Sequence, residues 1–128
     1  MTILRTVAIV VLLNLITHAQ STPTGSDAWA TSTATGTVAV YATISNPSMY
    51  DVYLVSGTSE NAAKVELINV DKPIANITVP AYGSAELKAG AMFVRLSDVK
   101  GEIKAGETLK VTLMTDGGIA IPLAAVVK

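Results

Sequence analysis

From Thr37 onward apolar and polar residues alternate with a period of two, and no long stretch fits the 3.6-residue period of a helix better. A strand is predicted over 37–46, with Val38, Val40, Ala42 and Ile44 on one face and Ala39, Tyr41, Thr43 and Ser45 on the other. Asn46-Pro47-Ser48 then turns the chain. Further strands follow over 50–56, closed by Ser56-Gly57, and over 63–69, where Val65 and Leu67 face in and Lys64 and Glu66 face out. Short strands over 74–79, 84–87 and 92–96 end at Pro80-Ala81-Tyr82-Gly83, at Lys88-Ala89-Gly90 and at the polar run 97–101. The last pair, 108–114 and 119–127, is joined by Thr115-Asp116-Gly117-Gly118, because glycine accepts the positive φ of a tight hairpin. Pro122 marks an edge or a bulge in the final strand. About eight or nine short strands, with a turn every eight to twelve residues or so, predict an all-β antiparallel sandwich or small barrel.

The first nineteen residues read differently. Arg5 precedes an apolar run over 6–16 broken only by Asn14, and Thr17-His18-Ala19 places small residues at the −3 and −1 positions of a cleavage site. As a helix the run would reach about 16 Å, half of the ~30 Å hydrocarbon core. Residues 1–19 are therefore expected to be a secretory signal peptide, residues 20–26 a flexible polar lead-in, and residues 27–128 a single β domain. The expected location is secreted, in the periplasm or the extracellular envelope, with no membrane span after cleavage.

Composition narrows the chemistry. The chain has 128 residues, a formal net charge of −1, one histidine and no cysteine. A near-neutral chain has no electrostatic footprint for nucleic acid. Without cysteine there is no disulfide, no thiolate site for zinc, no thiol nucleophile and no Cys to carry a lipid. His18 lies in the expected signal peptide, so the mature chain would have no imidazole for a catalytic triad or a metal. The carboxylates are spread singly, and no catalytic residue is assigned; the chain reads as a non-enzyme.

Five segments in sequence order resemble the periplasmic copper chaperone (PCuAC) family: Asp27-Ala28-Trp29-Ala30, residues 40–46, residues 62–67, residues 77–90 and residues 103–113. The resemblance spans nearly the whole domain and implies a cupredoxin-like β-sandwich. It also implies a Cu(I) site of two His and two Met, soft thioethers with imidazole, used in copper delivery toward cytochrome oxidase. The first implied His follows the Val65-Glu66-Leu67 segment, where this chain has Ile68. The second His and its Met alternate after the Lys88-Ala89-Gly90 segment, where this chain has Phe93 and Arg95. A Met-bearing hairpin of the family has only residues 68–79 to occupy. No metal is therefore expected, and the chain reads as an accessory binding or interaction module on a copper-chaperone scaffold.

Two alternatives stay open. Copper could be held by thioethers alone if Met49, Met92 and Met114 converged, with Met92 beside the substituted position. Low charge and many Thr, Ala and Val would also suit a structural subunit that self-associates by strand exchange. The partner is thus an unidentified protein or a second copy. Asn76-Ile77-Thr78 is a glycosylation acceptor sequence, and Asn46-Pro47-Ser48 is disqualified by its proline. Trp29 is either a partner anchor or a cap on the sandwich core.

Overall fold

The computed structural model describes residues 22–128. The expected signal peptide, His18 and the first two residues of the expected lead-in lie outside the described residues. Ten strands are present among the described residues: β1 (Thr24–Ala34), β2 (Thr37–Asn46), β3 (Val52–Thr58), β4 (Ala62–Asn69), β5 (Lys72–Pro73), β6 (Ile77–Val79), β7 (Gly83–Leu87), β8 (Met92–Val99), β9 (Thr108–Thr115) and β10 (Ala120–Val127). Their order is β5-β4-β8-β2-β1-β10-β9-β3-β6, with β7 also paired to β2, so the path folds back over its own core as a β-sandwich. Both ends of the path are two or three residues long, which blunts the edges that would otherwise recruit another strand.

The alternation read from the sequence is the one that packs. Val38, Val40, Ala42 and Ile44 of β2 join Val94 and Leu96 of β8 in the main core, against the inward residues of β9 and β10. Pro122 sits in β10 between β1 and β9 in the strand order, yet it disturbs nothing. The bonds Thr115 N–H to Ile119 carbonyl (3.0 Å) and Val127 N–H to Glu107 carbonyl (2.8 Å) set the hydrogen-bonded pairs of the β9–β10 ladder at odd positions of β10. Pro122, opposite Thr112, falls between them and points its missing N–H toward β1. The parallel pairing of β1 with β10 covers only Trp29↔Val126 and Ala30↔Val127, so no partner is lost.

β1 is the main departure from the sequence reading. It begins at Thr24, inside the stretch expected to be a flexible lead-in, and runs where no strand is predicted. It pairs with β2 almost end to end, which satisfies its backbone although its Thr, Ser and Ala side chains show no alternation. Asp27, with φ of 54°, makes an extra residue between the pairs Ser26↔Thr43 and Trp29↔Tyr41. That bulge reverses the facing of the residues that follow it up to a second irregularity between Ser32 and Ala34, turning Ala30 into the core and Trp29 out of it.

Gly25 lies where β1 crosses the core. A Cβ there would collide with Leu123 Cδ2 and stand 3.5 Å from Ile44 Cδ1. Gly25→Ala is expected to lower unfolding free energy by about 1–3 kcal/mol through overpacking, checked by a denaturant midpoint.

Candidate functional site

The β4–β8 ladder pairs Ile68 with Phe93 and Glu66 with Arg95, so the sequence-expected substituted positions come together on one sheet face. The face is the one turned away from the main core. Adjacent pairs extend it: Trp29 sits opposite Tyr41, and Ala39 opposite Arg95. Ala39, Tyr41 and Ile68 are buried although none belongs to the main core cluster. A second, smaller apolar layer therefore runs across β4, β8, β2 and β1.

Aromatic contacts hold this layer. Tyr41 and Phe93 have ring centroids 5.9 Å apart, and Trp29 and Tyr41 stand 4.7 Å apart with their planes tilted by 51°. Both geometries are in the favourable tilted range. Lys128 Nζ lies 5.1 Å from the Trp29 ring centroid, a cation–π distance. Trp29 is thus half-buried in the outer layer and does not cap the main core, because the bulge at Asp27 has turned it outward.

Arg95 Nη2 donates to Glu66 Oε1 at 3.3 Å, and Lys64 Nζ stands 3.7 Å from the other oxygen, Oε2. The guanidinium occupies the position where the resemblance implies a thioether, and it is already paired. Beside the layer, Asp27, Trp29, Thr43, Glu86 and Lys88 line a shallow cleft of about 300 Å³.

The methionines do not converge. Met92 precedes Phe93, so its side chain takes the opposite face and packs on the main core. Met114 lies on the outward side of β9, opposite Ala120 and Ser56, and Met49 stands exposed in the β2–β3 loop. The segment 68–79 is spent on a tight turn at Val70-Asp71, both with positive φ, and on the short strands β5 and β6. Asn76 is exposed just before β6. Among the described residues no group of three or more His, Cys, Asp or Glu side chains is placed to hold a metal. Isoleucine, phenylalanine and a paired guanidinium offer no lone pair to a soft cation, so the residues at the implied ligand positions do not fit copper.

One residue escaped sequence reasoning. Asn46 appears there only as part of a turn, yet it is buried and ties two loops together. Its Nδ2 donates to the carbonyls of Tyr50 (2.8 Å), Val79 (3.1 Å) and Pro80 (3.3 Å), and its Oδ1 accepts from Ser48 N–H (3.0 Å) and Ser48 Oγ (2.7 Å). The available signal is an Asn-Pro-Ser run at a strand end, a sequence that favours a side chain folded back on its own turn.

Comparison with known proteins places these features. A family profile described as lipoprotein LpqE-like matches residues 24–127. No curated protein matches. Among solved structures, the copper-bound PCuAC domain from PmoF2 is 17% identical over 81% of this chain and 90% of that one, with a TM-score of 0.72. The apo PCuAC domain from PmoF1 is 21% identical over 81% and 91%, also at 0.72. The Cu(I) form of DR1885 from Deinococcus radiodurans is 25% identical over 86% of this chain and 78% of that one, at 0.68. The fold is that of PCuAC domains.

Proposed function

This chain belongs to the LpqE-like family, and from that premise we propose that it is a non-catalytic interaction module of the cell envelope, exported by residues 1–19, whose PCuAC scaffold no longer binds copper. The observation that carries the proposal is the in-register set Ile68–Phe93 and Glu66–Arg95. Apolar packing and an ion pair stand where the resemblance implies two imidazoles and a thioether. Family membership supports an envelope location, since the family is described as lipoproteins. The chain has no cysteine, so it has no thiol to carry an acyl chain. Its function in that location is then to recognise another protein without carrying an ion.

Anaerobic titration with Cu(I) against a chromophoric competing chelator tests the reading. The expected result is no withdrawal of Cu(I) from the chelator at micromolar protein. Tight one-to-one binding would refute the proposal and return the chain to copper carriage.

A further inference from the structure

Three loops meet at one end of the sandwich, over residues 46–51, 80–83 and 116–118. Their backbones are locked together. Tyr82 N–H donates to the Ser48 carbonyl (3.0 Å), Ala81 N–H to Asp51 Oδ1 (2.9 Å) and Tyr53 N–H to Asp116 Oδ1 (3.3 Å), while Asp116 N–H returns a bond to the Tyr53 carbonyl (2.9 Å). Asn46 fastens the first two loops from beneath. On this fixed base stand Met49, Tyr50 and Tyr82, with 61%, 72% and 73% of their surface exposed. Tyr82 holds φ at 56°, a left-handed conformation that bulky residues rarely adopt. Most of each residue's surface is left uncovered by its own chain. Tyr and Met are among the residue types enriched at protein interfaces.

Charge decides what the surface takes. The three loops contain Asp51 and Asp116 and no Lys or Arg. Each carboxylate is aimed by the backbone N–H it accepts, and neither joins an ion pair among the described residues. Aromatic faces beside oriented carboxylates suit a guanidinium or ammonium, through cation–π attraction and a charge-assisted hydrogen bond. An anionic or purely apolar partner would leave both carboxylates desolvated and unpaired.

We propose that this end docks an arginine- or lysine-bearing segment of a partner protein, with Tyr50 and Tyr82 covering its basic side chains and Asp51 and Asp116 pairing with their charges. The inference names the surface of the interaction module proposed above and rests on that reading.

The test is a ¹⁵N chemical-shift titration with a synthetic peptide of alternating Gly and Arg. Its Gly-Glu counterpart, an uncharged Gly-Ser peptide and zwitterionic phospholipid vesicles are run in parallel. Shifts are expected with the arginine peptide alone, confined to residues 46–53, 80–83 and 116–118, and weaker as salt is raised. Tyr50→Ala with Tyr82→Ala should lower affinity about tenfold, the worth of two exposed cation–π contacts. Asp51→Asn keeps the oxygen that accepts Ala81 N–H, so affinity should fall severalfold while the backbone shifts of the free protein stay in place. No response to the arginine peptide, an equal response to either other peptide, binding to vesicles alone, or shifts outside these loops overturns the inference. Its failure with copper still unbound refutes this surface alone; tight Cu(I) binding refutes the reading beneath it.

Discussion

Replacing Ile68 and Phe93 by histidine and Arg95 by methionine in one chain is expected to create Cu(I) binding at positions where the wild type offers no ligand atoms. The three positions share one sheet face, and Ile68 lies directly opposite Phe93. Opposed Cβ atoms in such a pair stand about 4.5–5.5 Å apart, close enough for two imidazoles to share an ion. Position 95 is two residues along the same face from 93, so a flexible thioether from there reaches the same space. Loss of Arg95 removes a fixed positive charge, and Glu66 keeps Lys64 as its neighbour. Affinity should move from weaker than millimolar to micromolar or tighter, a change of at least ~4 kcal/mol. The variant has a cost. Ile68 is fully buried, and an imidazole there should lower the stability of the metal-free form by about 2–3 kcal/mol. Cu(I) should then raise its melting temperature, whereas Arg95→Met alone should show no such rise. A folded triple variant that still ignores Cu(I) would show that these positions are not where the scaffold can hold the ion.

Asn46→Ala is expected to be the most destabilising single polar substitution in the molecule. One buried side chain there satisfies three carbonyls and two Ser48 donors across two loops. Alanine leaves buried groups without partners, and the loss should be about 3 kcal/mol. For a domain of this size, that corresponds to a fall in melting temperature of roughly 12–15 °C. Asn46→Asp should be no better, since it turns a second oxygen toward the three carbonyls. A fall of only a few degrees would mean that the loops are held without Asn46, and the rigid base beneath Tyr50 and Tyr82 would lose its physical explanation.

Strands with strict alternation, such as β2 and the β9–β10 hairpin, were legible in the sequence because burial on one face leaves a period of two in the residues. β1 was not, because Thr, Ser, Ala and Gly satisfy the ladder without writing that period. The position of Trp29 was unreadable for a related reason: a single bulge at Asp27 decides its face, and nothing in the apolar pattern marks it. The candidate site was visible as Ile68, Phe93 and Arg95 only through the resemblance, while their joining into one patch depended on strand register. Met92 shows the same limit. Adjacent to Phe93 in the chain, it lies on the other side of the sheet. The aromatic loop end left no periodic trace at all, since Met49, Tyr50 and Tyr82 come together through backbone bonds between distant turns.

The parallel contact between β1 and β10 ties residues nearly the whole domain apart, and Lys128 N–H closes it with a bond to the Ala30 carbonyl of 2.9 Å. While the polypeptide is still being made, β1 has no neighbour on that side until β10 has followed it. Such distant pairings assemble late and slowly. Closing this seam is therefore expected to come last: deleting Val126, Val127 and Lys128 should prolong the interval in which a nascent molecule stays open to chaperones and proteases.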